Sequence, residues 1–216
     1  MKIRTIEDLS DRLDEDLSWR IKELLDLRKA VSGSTKNTKI YIRAGIALLS
    51  AHLEGFVRTA SNYYVVFVSD QKVPIEKVAN NFITLKLKAK IKECGNTEKI
   101  TVHKTLFDKL DELRNSHFTI KYSEDKRIIE TKANPSSSII EEIIHGLGLK
   151  FESFETKKNY IDSNLLKNRH DIVHGERTYL DKGDFFETFN QITEIIDIYK
   201  NIIIEAAETR SYLKAL

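Results

Sequence analysis

At 216 residues, with 41% hydrophobic and 31% charged residues, the chain is long enough for one domain with a sizeable core and too apolar for intrinsic disorder. A formal net charge of +2 is too small to argue for nucleic-acid binding by itself, so any such case must rest on local clustering. A single cysteine, Cys94, excludes an internal disulfide and a cysteine-based zinc site, and the charged start from Met1 to Asp8 is unlike a signal peptide, so the cytoplasm is the expected location.

Two prolines and eight glycines leave few helix breakers, and the periodicity that follows is helical. Thr5 is placed to cap a helix in which Ile6, Leu9, Leu13, Leu17, Ile21, Leu24 and Leu25 recur every three or four residues, with Arg28 and Lys29 near its end. The polar run 32–35 breaks it, and a second helix is predicted over 38–68, antiparallel to the first. Pro74 restarts the chain into a third helix over 75–92 that turns Ile75, Val78, Phe82, Leu85 and Ile91 inward. A shorter helix is predicted over 103–114. The alternation in His117 to Tyr122, followed by a polar turn at 123–126, predicts a small β-hairpin insertion over residues 117–132.

Ser138 with Glu141 reads as a capping box that opens a helix over 139–147, closed by Gly148. From Tyr160 to His174, the residues Ile161, Leu165, Leu166, Ile172 and Val173 define one apolar face, and Gly175 stands where a helix stops. The last helix, 184–210, buries Phe185, Phe189, Ile192, Ile196, Tyr199 and Ile203. The expected fold is mainly α, one antiparallel helical bundle spanning 1–216 as a single domain. Its most apolar stretch, 63–68, is short, and the Ile-rich run 192–204 is interrupted by Glu194, Asp197 and Lys200, so no membrane span and no membrane partner are expected.

The segment Asn168-Arg169-His170-Asp171-Ile172-Val173-His174-Gly175 contains an Arg and a His separated by four residues, late in a bundle helix and followed by Gly. Here the chain resembles the HEPN superfamily, in which an Arg-Xaa(4–6)-His motif with a polar residue soon after the Arg marks metal-independent endoribonucleases. The overall look is similar to stand-alone prokaryotic MAE-type HEPN nucleases, a group associated with toxin and defence loci. The resemblance implies that Arg169 and His174 are catalytic, that His170, Asp171 and Asn168 support them, and that a homodimer brings two motifs into one cleft. It implies RNA as substrate, no metal and no cofactor, and an antitoxin or defence-system partner protein.

The chemistry suits these residue types. Metal-free RNA cleavage needs a group that takes the 2′-hydroxyl proton or protonates the leaving oxygen, and imidazole does so near neutral pH. A guanidinium offers fixed donors to phosphate oxygens and to the charge that develops on them. Five residues of α-helix separate the two by a rise of roughly 7.5 Å and about 140° of rotation, so a symmetric partner is needed to bring Arg and His together. A position near a helix C-terminus favours imidazolium and an acid role for His174. His170 and His174, four apart, have a spacing that could hold a metal, but without further ligand pattern the metal reading is weak.

Two other features have competing readings. Glu54 and Arg58 resemble a Glu-Xaa3-Lys-type element found beside the cleft in some HEPN families, and equally a self-satisfied i,i+4 ion pair. Lys86, Lys88, Lys90 and Lys92 form the densest basic run, either an RNA-backbone contact or a solvated helix face.

Overall fold

The computed structural model describes residues 1–33, 35–123, 125–131 and 136–214. Its first helix, α1 (Ile6–Gly33), starts at the predicted cap: Thr5 Oγ1 accepts from the Asp8 N–H at 3.0 Å. The Asp8 carboxylate returns to the N–H groups of Arg4 and Thr5, and those two bonds hold its carboxyl below the ordinary aspartate range. After the predicted break comes α2 (Thr38–Asp70), followed by α3 (Asn80–Gly95), α4 (Ile100–Arg114) and α5 (Ser137–Gly146). The short turns α6 (Glu152–Glu155) and α7 (Lys158–Tyr160), a π-helical stretch (Ile161–Leu166) and α8 (Lys167–Val173) lead to the long α9 (Lys182–Glu208).

Helices α1, α2 and α9 pack on one another, and α8 docks on α2. Length and composition alone would let α2 cross a membrane. Its buried residues, however, include the continuous run 64–69 as well as Ile46, Leu49, Leu53, Phe56 and Ala60, and burial on all sides inside the fold marks a core helix. Close approach is made possible by Gly45, where a Cβ would sit 2.5 Å from Phe185 Cε2 on α9 and 3.2 Å from Leu27 Cδ2 on α1. Phe185 is fully buried and cannot swing away. Gly45→Ala is therefore expected to destabilise the fold by about 1–3 kcal/mol in a denaturant titration, although alanine is the better helix former.

The contact between α1 and α2 also encloses polar groups. The Arg20 guanidinium is buried against Gly55, makes two hydrogen bonds to Asp16 (2.7 and 3.1 Å) and lies 4.5 Å from the centroid of the Trp19 ring. His52 is buried beside it, with Nε2 2.9 Å from Glu23 Oε2 but without hydrogen-bond geometry. Burial pushes the imidazole pKa down and Arg20 adds to this, while Glu23 and Asp16 oppose it. A folded-state pKa below the unfolded value near 6.5 means that the unfolded chain binds the extra proton as the pH falls. The stabilisation from neutral His52 should thus be intact above pH ~6.5 and decline below it until the folded-state pKa is passed, with a slope of at most about 1.4 kcal/mol per pH unit. Unfolding titrations of His52→Gln should lack that component of the acid slope; identical slopes for variant and wild type would refute it.

The middle of the chain departs from expectation. The segment after Pro74 is a turn, closed by the Lys77 and Val78 N–H groups on the Pro74 carbonyl, so α3 begins at Asn80 instead of Ile75 and continues through Cys94. Ile75 and Val78 are buried from this turn, whereas Ile91 is exposed. Among the described residues, 117–123 and 125–131 do not form the predicted hairpin: the bridges they make are isolated, Ser123 to Lys126 and His117 to Pro74. The two arms bind α2 and its C-terminal turn instead of each other. The Phe118 N–H donates to the Val73 carbonyl at 2.7 Å and the Ile120 N–H to Ser69 Oγ at 2.9 Å. On the other arm, the buried Asn62 accepts from the N–H groups of Ile128 and Ile129 and donates to the Ile129 carbonyl. Glu124 and Lys132, parts of the predicted hairpin, lie outside the described residues. At α5 the cap is Ser136, which accepts from the Ile139 N–H, and Ser138 lies inside the helix.

Candidate active site on the α7–α8 helix

The helix that carries the motif is anchored before the motif begins. Ile161 and Leu165 are fully buried, and the Tyr160 hydroxyl donates to Thr188 Oγ1 on α9 at 3.1 Å. Asp162 accepts from both the backbone N–H (2.9 Å) and the hydroxyl (2.5 Å) of Ser137, which ties the helix to the start of α5. Ile161, Asp162 and Leu165 belong to the π-helical stretch itself, which widens the turn just before the motif and rotates everything after it relative to an ideal α-helix. Consequently Ile172 is half-buried and Val173, predicted on the apolar face, is 57% exposed.

At its end the helix closes by a Schellman arrangement. His174 is the C-cap, Gly175 takes φ +77°, its N–H donates to the Ile172 carbonyl at 3.2 Å, and the Glu176 N–H donates to the Asp171 carbonyl at 2.8 Å. A residue with a Cβ is strained at that φ, which is why Gly stands there. The end is then clamped from α2: Arg43 Nη1 donates to the Glu176 carbonyl (2.6 Å) and to Thr178 Oγ1 (3.0 Å), and Nη2 reaches the Ile172 carbonyl at 3.4 Å. A cation at the carbonyl-rich end of a helix is favourably placed on electrostatic grounds as well.

The structure brings His170, Asp171 and His174 together. The two imidazole rings have centroids 4.3 Å apart at 44°, and His170 Nδ1 lies 3.6 Å from Asp171 Oδ1. Both histidines are exposed, and Asp171, Asn168 and Arg169 are half-buried. The Arg169 side chain makes no hydrogen bond or ion pair among the described residues, and the nearest carboxylate in sequence, Asp171, is two positions on and does not share its helix face. A partly desolvated guanidinium with all its donors free is poised for an anion. Among the described residues no group of three or more His, Cys, Asp and Glu is arranged to hold a metal ion.

Glu54 and Arg58 are not part of this cluster. Glu54 Oε1 accepts from the Thr131 hydroxyl at 2.7 Å and lies 3.6 Å from Arg58 Nη1, so the pair helps to hold the 128–131 segment on α2. Arg43, the α2 residue that touches the motif, precedes Glu54 by eleven positions, about 16 Å along the axis. The four lysines are not one stripe either, since a spacing of two rotates by about 200° and sends alternate residues to opposite sides of α3. Lys86 donates to the Thr119 carbonyl at 2.7 Å and is held near the Phe118 ring, and this partial burial lowers its pKa. Lys90 pairs with Glu93 at 2.8 Å. Lys88 lines a groove of about 670 Å³ between α3, α5 and residues 129–130, whose lining includes no motif residue.

Sequence reading missed Arg43 altogether. Its only signal was a cation near the start of a helix otherwise read as apolar, and nothing local said which distant carbonyls it would serve.

The family model described as RiboL-PSP-HEPN matches residues 15–205, which takes in α2, the motif helix and most of α9. No curated protein and no solved structure matches the chain. The match supports the HEPN superfamily without singling out the MAE-type group. With the helical fold and nearly the whole chain covered, the protein belongs to the RiboL-PSP-HEPN family.

Proposed function

We propose that the protein is a metal-independent endoribonuclease in which Arg169 and His174 act on a phosphodiester. HEPN domains are generally of RNase type, which supports the class. The observation that carries the reading is the half-buried Arg169, without a hydrogen bond or ion pair among the described residues, on the same clamped helix end as an exposed imidazole pair. The 2′-oxygen attacks phosphorus, the P–O5′ bond breaks, and a 2′,3′-cyclic phosphate and a 5′-hydroxyl result. One imidazole accepts the 2′-hydroxyl proton and another donates a proton to the departing 5′-oxygen, while Arg169 binds the non-bridging oxygens.

The second imidazole and guanidinium come from a second copy of the chain. Val173, beside the motif, and Ile40 and Tyr41, on the α2 segment that leads into Arg43, are all exposed in the single chain, and a homodimer would cover them while closing a cleft over two motifs. His170 and Asp171 orient the imidazoles. A toxin or phage-defence role, with an antitoxin or defence partner, follows from the likeness to such nucleases and is part of the proposal.

Incubation of the purified chain with single-stranded RNA in EDTA tests the activity. Cleavage that spares DNA of the same sequence is expected. Binding without cleavage would instead identify a non-catalytic helical RNA- or protein-binding module of a defence or toxin–antitoxin pair.

A further inference from the structure

Tyr179 is 85% exposed, in the connection between α8 and α9, and the Arg177 guanidinium carbon lies 5.4 Å from its ring centroid. The backbone on both sides of the ring is fixed. Arg43 holds the Glu176 carbonyl and Thr178 Oγ1 before it. After it, Asp181 caps α9 in a two-way box, accepting from the Asp184 N–H at 3.0 Å while the Asp184 carboxylate accepts from the Asp181 N–H at 2.8 Å. Leu180 and Asp181 also line a groove of about 390 Å³ shared with Lys36, Lys39 and Ile40 at the start of α2. An anchored loop thus presents a solvated aromatic ring with a cation over it.

The charge around the ring points to the occupant. Residues 35–43 and 176–184 contain five cations (Lys36, Lys39, Arg43, Arg177 and Lys182) against three carboxylates (Glu176, Asp181 and Asp184). That excess of two equals the net charge of the whole chain. Asp181 and Asp184 are engaged in the cap, and Arg43 and Lys182 are engaged on main-chain carbonyls, so Lys36, Lys39 and Arg177 against Glu176 are the charges open to a ligand, the same excess of two. A ring of this kind stacks on any base, and a guanidinium adds cation–π and planar contact. Only an unpaired base can reach it, because duplex bases are already stacked.

We infer that Arg177 and Tyr179 form a base-stacking platform that binds single-stranded RNA, with Lys36 and Lys39 contacting its backbone. This inference rests on the ribonuclease reading for its choice of RNA. Tyr179 stands five positions after His174, and Arg43 holds the intervening Glu176 and Thr178 to the helix end, so a base on the ring puts neighbouring phosphodiesters beside the motif. The RNA path follows the α2–α9 end of the bundle and leaves the α3 lysines aside.

Fluorescence anisotropy of labelled single-stranded RNA tests it, with the His174→Ala chain as the parent so that the probe stays intact. Adding Tyr179→Ala should weaken binding by about 5- to 100-fold, Tyr179→Phe should restore most of it, and duplex RNA should compete poorly. Equal affinity for the Ala and Phe variants, duplex competing as well as single strands, or no binding by the parent would each overturn the platform. So would a Tyr179→Ala loss that tracks a fall in solution mass, which would make the ring a protein contact. Failure of the wild type to cleave, with binding still dependent on Tyr179, would sink the nuclease reading and leave the platform standing.

Discussion

His174→Ala and Arg169→Ala should each slow RNA cleavage by about 100-fold or more, while stability changes by only about 0.5 kcal/mol. His174 is exposed and makes no side-chain hydrogen bond among the described residues, so its removal costs little beyond the ring contact with the exposed His170. Arg169 has no hydrogen-bond or ion-pair partner to orphan among the described residues. Its replacement by Lys keeps one charge but not the planar fork, and should recover only part of the activity. Single-turnover rates with melting curves for the same preparations check both halves of this expectation. Wild-type rates in either Ala variant would remove that residue from the chemistry.

Arg43→Ala should produce a different pattern, losing stability and activity together. Its guanidinium contacts two main-chain carbonyls and one hydroxyl at the end of the motif helix, and their loss should cost about 2 kcal/mol. With the clamp gone, His174 and the loop that follows are released from α2, and a misplacement of order 1 Å can reduce a rate by about 100-fold. Arg43→Lys should fall between, since a single ammonium cannot reach three acceptors in fork geometry. The contrast with His174→Ala is diagnostic: a stable but inactive chain marks a chemical role, and a loosened one a positioning role. Hydrogen exchange of the Glu176 amide, faster in Arg43→Ala, would identify the released segment.

The parts of the fold legible in the sequence are those set by local chemistry. Thr5 and the gap at 32–35 placed the ends of α1, and the long apolar periodicities located α2 and α9 within a few residues. Asp181, three residues before the predicted start at 184, proved to be the cap. What could not be read depends on distant partners. The alternation in 117–122 is a real strand-like pattern, but its hydrogen bonds go to Ser69 and Val73, and Asn62 draws in the other arm. A π-helical stretch inserts its extra residue without any residue-type signature, so the phase of Val173 was predicted wrongly.

The same division holds at the candidate site. His170 and His174 stand four apart and Asp171 follows His170, so the proximity of these three was legible from spacing alone. For the lysine run, density in sequence is not density on one helix face, and the two readings of it could not be separated by spacing alone. Arg43 and the Arg177–Tyr179 pair were missed because a clamp and a solvated ring become apparent only when α2 and the 174–181 loop lie side by side.

The most direct measurement is the chemistry of the cut ends, read by mass spectrometry on RNA digested in EDTA. The account predicts 2′,3′-cyclic phosphate and 5′-hydroxyl termini, absent with His174→Ala and absent where the 2′-hydroxyl at the cut site is replaced by hydrogen. Termini bearing 3′-hydroxyl and 5′-phosphate, formed only when divalent metal is supplied, would contradict it.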